Sequence, residues 1–239
     1  IYMIARTSPL FELAPASANL VALVGAATAL FAATIAVGQF DIKRVLAYST
    51  ISQLGFMISA VGIGAYAAGM FHLITHAFFK ALLFLSAGSV IQGVERGHHH
   101  ASHGGHAEHF DPNDMRGMGG LRGRMPVTFI VYLVGSLALA GIPPLAGVFS
   151  KDEILAGAAA GHTAIYLLLT AAAFLTAFYI GRQVRMVFFG AARSPAAEHA
   201  EESPAVMTVP LIALAGLAAV GGALNLPGLH SLTHFLEHT

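Results

Sequence analysis

The sequence predicts an all-α fold, a polytopic transmembrane helix bundle, on three observations. The 239 residues are 56% hydrophobic and only 10% charged, against about 25% charged in typical soluble domains. Residues 13–40, 125–150, 154–181 and 203–236 carry no Asp, Glu, Lys or Arg, and residues 45–94 carry only Lys80. A hydrocarbon core of about 30 Å needs roughly 20 helical residues, which each of these stretches supplies. The remaining basic residues sort to one side once the chain is threaded. A soluble fold is excluded, and with acidic and basic residues balanced at twelve each, bulk charge gives no reason to expect a nucleic-acid partner. The partner that composition implies is the lipid bilayer. The absence of cysteine excludes disulfides, iron–sulfur clusters and thiolate metal sites in this chain.

Six membrane segments are predicted, at about 16–38, 46–65, 67–93, 127–159, 163–189 and 205–225. They divide the chain into three spans (1–93), a polar His-rich loop (94–125), three further spans (126–225, with a broken helix at 127–159) and an interfacial tail (226–239). This threading puts Lys43, Arg44, Arg96, Arg116, Arg122, Arg124, Arg182, Arg185 and Arg193 on one face and only Arg6 on the other. Basic loops mark the cytoplasmic side, or the matrix side in a mitochondrion. Position 1 is Ile and no signal peptide precedes the first span, so a piece of a longer chain is expected.

Segment 127–159 is too long for one straight crossing: at 1.5 Å per residue it would run about 50 Å. Its middle reads "AGIPPLAGVFSKDEIL". Pro143 and Pro144 remove backbone donors and Gly141 and Gly147 flank them, which predicts two half-helices joined by unwound chain near the midplane. Irregular backbone survives at that depth only where it is buried or lines a wet cavity, and broken helices mark binding sites in transporters.

The third segment contains "FHLITHAFFKALLF". His72, His76 and Lys80 recur every fourth residue and fall within an arc of about 80° on a helix. A lysine at the centre of a span costs about 2.5–3.5 kcal/mol on insertion scales, so such a residue faces the bundle interior and serves a function. Three proton-binding side chains one turn apart can pass a proton along, directly or through water. Competing readings are a histidine that only donates to a neighbouring carbonyl, a lysine paired with a carboxylate, and a zinc site, for which no third ligand lies nearby. Lys151 follows the break and adjoins Asp152 and Glu153, where it either closes a helix end or sits at mid-depth with a carboxylate or water. Tyr48, Ser49, Thr50, Ser52 and Gln53 could wet a path between the two lysines. Asp41, Lys43 and Arg44 read as interfacial. His98, His99, His100, His103, His106 and His109 sit in glycine-rich, structureless sequence that reads as solvated loop rather than as a metal site.

Four motifs, "DIKRVLAYSTISQLGFM", "FHLITHAFFKALLFLSAGSVI", "MRGMGGLRGRMPVTF" and "ALAGIPPLAGVFSKDEIL", closely resemble the antiporter-like membrane subunits of respiratory complex I, the L or 5 chains of NADH–quinone oxidoreductase. Related families are the large subunits of multisubunit sodium/proton antiporters and membrane subunits of related hydrogenases. The resemblance implies one five-helix antiporter repeat with a discontinuous helix, plus one further span. It implies a proton pathway through His72, His76 and Lys80, with Lys151 beside Asp152 at the broken helix and Asp41 and Lys43 at the start of the second segment. It further implies other complex I membrane subunits as partners, and no redox cofactor on this chain, with NAD, FMN, iron–sulfur clusters and quinone held by other subunits. The rival readings are an antiporter subunit and a non-conducting scaffold whose buried charges only fix packing.

Overall fold

A computed structural model describes residues 1–101, 110–225, 232 and 235. Two short helices, α1 (Tyr2–Arg6) and α2 (Ser8–Glu12), lead into α3 (Pro15–Gly38), α4 (Ile42–Gly62) and α5 (Tyr66–Ala101). After the residues outside the description come a 3-10 turn at Met115–Gly117, α6 (Leu121–Arg124), α7 (Pro126–Ala140), α8 (Ala146–Ala159), α9 (Thr163–Phe188), α10 (Pro195–Glu198) and α11 (Ala205–Val220). A second 3-10 turn, Gly221–Asn225, continues α11. Among the described residues there is no strand, and five helices are long and apolar enough to cross a membrane: Pro15–Gly38, Ile42–Gly62, Tyr66–Ala101, Thr163–Phe188 and Ala205–Asn225. The chain is an all-α integral membrane protein.

The segment 127–159 is two helices, α7 and α8, separated by residues 141–145. Its break has a local cause. Gly141 takes φ +81°, and the N–H groups of Gly141 and Ile142 donate back to the carbonyls of Ala138 (3.1 Å) and Leu137 (3.0 Å). This pair of bonds is the Schellman closure, which needs a residue free to adopt left-handed backbone. Pro143 and Pro144 then lack the donors that would resume the helix.

Two boundaries differ from expectation. The second span starts at Ile42 rather than 46, because the Asp41 carboxylate accepts from the N–H groups of Lys43 (2.8 Å) and Arg44 (2.9 Å) and so caps the helix. The third helix runs to Ala101 rather than ending at 93, and His98, His99 and His100 continue it instead of lying in a loop. His103, His106 and His109 lie outside the described residues.

Small residues let α3 and α4 meet backbone to backbone. A Cβ on Gly25 would come within 2.5 Å of Ser59 N, and one on Gly55 within 2.6 Å of Ala29 N. Ser52 and Ser59 donate across this seam to the carbonyls of Ala29 (2.8 Å) and Ala22 (3.0 Å). Without a hydrophobic driving force between helices in lipid, such close packing and interhelical hydrogen bonds hold the pair together. α4 thereby presents its other face, bearing Leu46, Ser49, Gln53 and Phe56, to α5 and α8.

The end of the bundle where α4 starts gathers basic side chains. Ile42 N donates to Asn113 O (3.0 Å) and Met115 N to Phe40 O (2.9 Å). The guanidinium groups of Arg116 and Arg182 lie 5.0 and 5.1 Å from the Phe40 ring centroid, and Arg193 donates to Met115 O (3.2 Å). Hydrogen bonds from Arg116 hold the Asp114 carboxyl below its usual range.

Candidate functional site

α5 runs antiparallel to α4, so its row of titratable side chains meets successive turns of α4. Nearest the basic end, Lys80 Nζ donates to Leu46 O (3.1 Å) and to Ser49 Oγ. Near the middle of α4, His72 Nε2 lies 3.1 Å from Gln53 Oε1. Beyond it, Lys151 of α8 holds its ammonium 5.6 Å from the Phe56 ring centroid. His76 lies between His72 and Lys80 in sequence, with its ring 6.1 Å from that of His72 and 5.3 Å from that of Phe79. All four titratable residues are at most 7% exposed.

The broken helix closes the row. His72 Nδ1 is 2.8 Å from Ser150 Oγ, which is 2.9 Å from Thr75 Oγ1. Next along the chain, Lys151 Nζ donates to Leu139 O at 2.6 Å. That carbonyl belongs to the last turn of α7, whose terminal carbonyls lose their intrahelical donors at the break. A cation there also faces the negative end of the α7 dipole. Interruption of the helix therefore creates the acceptor that seats the lysine. Among the described residues neither lysine forms an ion pair with a carboxylate. Lys151 still lies within Coulombic reach of His72, His76 and Lys80.

The arrangement suits proton transfer. A neutral imidazole donates from one nitrogen and accepts at the other, whereas a protonated one donates from both. Ser150 Oγ and Gln53 Oε1 can each accept, so His72 has partners in either state. His76 Nε2 is buried with no protein partner, which leaves it open to water between His72 and Lys80.

Other singled-out residues stand apart from this cluster. Asp41 is a helix cap and Lys43 is exposed in the first turn of α4 at the basic end. Asp152 is exposed on α8, although its charge acts on Lys151. Glu153 accepts from Asn225 Nδ2 (3.0 Å). Of the polar residues of α4, only Ser49 and Gln53 bond to the row. Ser52 bonds to α3, Thr50 bonds back to Leu46 O (2.9 Å) and Tyr48 packs against the core. Sequence reasoning missed Thr75, Ser150 and the carbonyls of Leu46 and Leu139. The only available signals were that Ser150 precedes Lys151 and that Thr75 sits one turn from His72.

Comparison with known proteins gives a concordant result. Residues 1–177 match the family described as NADH:quinone oxidoreductase/Mrp antiporter, transmembrane. An NAD(P)H-quinone oxidoreductase chain 5 from Picosynechococcus sp. is 44% identical over 95% of this chain and 36% of its own length. An NADH-quinone oxidoreductase subunit L from Rhodobacter capsulatus is 46% identical over 94% of this chain and 31% of its own. The chain thus spans about a third of the length of these curated relatives. Among solved structures, the Mrp complex of Dietzia sp. shares the fold, with a TM-score of 0.74 at 20% identity over 92% of this chain and 46% of that one. A chain of an archaeal membrane-bound sulfane sulfur reductase gives a TM-score of 0.73 at 28% identity, over 87% of this chain and 34% of its own. With three-quarters of its length matched by the family and nearly all of it aligned to these relatives, the chain belongs to the NADH:quinone oxidoreductase/Mrp antiporter transmembrane family.

Proposed function

We propose that this chain is part of the antiporter-like, proton-translocating membrane subunit of an NADH–quinone oxidoreductase. In this reading a proton moves through the midplane along Lys80, His76, His72 and Lys151. The observation that carries it is the Ser150 bridge, which joins the histidine row of α5 to the broken helix that holds Lys151. Electrons pass elsewhere: NAD, FMN, iron–sulfur clusters and quinone belong to other subunits, and this chain binds no redox cofactor. Its partners are the neighbouring membrane subunits, since its relatives are named as subunits of NADH-quinone oxidoreductase. The membrane is the bacterial inner membrane or its mitochondrial counterpart, with the end bearing Lys43, Arg116 and Arg193 on the cytoplasmic or matrix side. Asp152, exposed beside Lys151, adds its charge at that end of the row. Asp41 and Lys43 contribute to the field at its basic end.

The test uses the full-length subunit within its complex. Lys80→Met and Lys151→Met are expected to leave NADH oxidation and assembly in place while lowering the protons translocated per NADH in sealed vesicles. Wild-type yield in both variants removes the lysines from the mechanism. Failure to assemble, with no assembled but uncoupled complex, supports the scaffold reading instead. The family description also covers Mrp antiporters; sodium-dependent proton exchange without NADH oxidation would identify that activity.

A further inference from the structure

α8 is joined to α7 through residues 141–145, which are not helical. Such loop residues absorb changes in φ and ψ, so α7 does not dictate how α8 is rotated about its own axis. That rotation decides where Ser150 and Lys151 point, and packing on either side of α8 must set it. One side carries Ser150, 2.8 Å from His72 Nδ1 and 2.9 Å from Thr75 Oγ1, and Lys151, which donates to Leu139 O at 2.6 Å. The other side carries Ala146, Phe149 and Glu153, which share an arc of about 60° centred about 170° from Lys151.

This second side rests on the 3-10 turn Gly221–Asn225 that ends α11. A Cβ on Gly222 would lie 2.5 Å from the Phe149 ring and 3.2 Å from Ala146 Cα, and one on Gly221 would meet the Phe78 ring of α5 at 3.3 Å. Gly221 takes an ordinary φ of −59°, so the turn uses glycine here for closeness rather than for left-handed backbone. At its far end Asn225, 4% exposed, donates from Nδ2 to Glu153 Oε2 at 3.0 Å. Glu153 stands two residues beyond Lys151, and residues so spaced do not face each other on a helix. Its carboxylate is therefore placed to hold α8 against α11 rather than to pair with the lysine. The leverage is large. A helix with its side chains has a radius of about 5–6 Å, so turning α8 by about 20° displaces the Lys151 ammonium by roughly 2 Å. Such a shift breaks the hydrogen bond to Leu139 O.

We propose that Asn225 and Glu153 are positioning residues: their contact fixes the rotation of α8 and so keeps Ser150 on His72 and Lys151 on the end of α7. Neither residue carries a proton in this role. The inference rests on the proton-translocating reading above and adds to it the part of the chain that aims the lysine, the 3-10 end of α11.

The experiment measures protons translocated per NADH in sealed vesicles holding the assembled complex, with variants of the full-length subunit. The part of the wild-type yield that is lost in Lys151→Met is taken as this subunit's share. Glu153→Gln keeps an oxygen that accepts from Asn225 and is expected to retain most of the share. Asn225→Leu removes the donor and Glu153→Met the acceptor, each at nearly constant volume. Each is expected to lose more than half of the share while NADH oxidation persists. Because the two residues act through one contact, the double variant Glu153→Met, Asn225→Leu should lose no more than the larger single loss. Wild-type yield in Asn225→Leu overturns the proposal. So do losses that multiply in the double variant, or a loss in Glu153→Gln as large as in Glu153→Met, which would make the carboxylate itself a carrier of charge. Where Asn225→Leu does not assemble, Asn225→Ala takes its place with the same readings, and failure of both to assemble makes the contact a requirement of the fold and overturns the proposal too. All of these outcomes leave the lysine mechanism intact, whereas wild-type yield in Lys151→Met overturns the underlying reading and the positioning role with it.

Discussion

Ser150 shows how one hydroxyl decides what the charged row can do. It touches His72 and Thr75 of α5 while its neighbour Lys151 reaches back to α7, so two helices and a helix end converge on two consecutive residues. Ser150→Ala removes the acceptor that a protonated His72 would need at Nδ1. Interhelical hydrogen bonds in membranes contribute about 0.6 kcal/mol on average, so the variant is expected to assemble with little loss of thermal stability. Its proton yield per NADH should fall nonetheless, and measuring both in one preparation separates packing from conduction. The sequence makes His72, His76, Lys80 and Lys151 visible because charge is costly in lipid. It hides Ser150 and Thr75 because hydroxyls are tolerated in any membrane helix, and only the fold decides which of them meet a histidine. The carbonyl partner of Lys151 is equally hidden, since a backbone group is present at every residue.

Among the helices, the break between α7 and α8 could be read from the chain and the overrun of α5 could not. The consecutive prolines with flanking glycines leave few conformations open, so local chemistry sets the interruption. α5 instead passes through "GVERGHHHA", whose glycine and histidine content disfavours helix. Tertiary packing overrides this: a Cβ on Gly93 would meet Glu201 O at 2.8 Å, and one on Gly97 would meet Ala200 N at 2.8 Å. The two glycines form a shelf on which residues 196–201 lie, and that shelf positions Glu202 at the start of α7. A comparable fit governs the break, where a Cβ on Gly147 would come within 1.8 Å of Ala138 O. Gly147→Ala must therefore push α8 away from α7, at about 1–3 kcal/mol for an overpacked core. It is expected to lower the thermal denaturation midpoint of the solubilised complex. Gly216→Ala in α11, where a Cβ meets nothing within 4 Å, should leave the midpoint unchanged or slightly raised.

For the molecule as a whole, cations bind one end of the bundle together. Phe40 lies between Arg116 and Arg182, and Arg193 reaches Met115, so the starts and ends of α4, α7 and α9 meet in one electropositive layer. The asymmetry predicts orientation. Gly117 lies in that layer and Gly161 at the opposite end, and a Cβ at either position meets nothing within 4 Å. In the full-length subunit, Gly117→Cys should react with a membrane-impermeant thiol reagent only from the cytoplasmic or matrix side. Gly161→Cys should react only from the other side, and labelling of both from one side would refute the threading.

The seam between α3 and α4 has a mechanical corollary. With the two backbones already touching at Gly25, Gly55 and Gly62, no compressible layer of side chains lies behind Ser49 and Gln53. In the proposed mechanism that flank of the bundle serves as a stator, fixed while charge moves past it. In that mechanism the give needed for each hop comes from rotating side chains or from the short helix that carries Lys151.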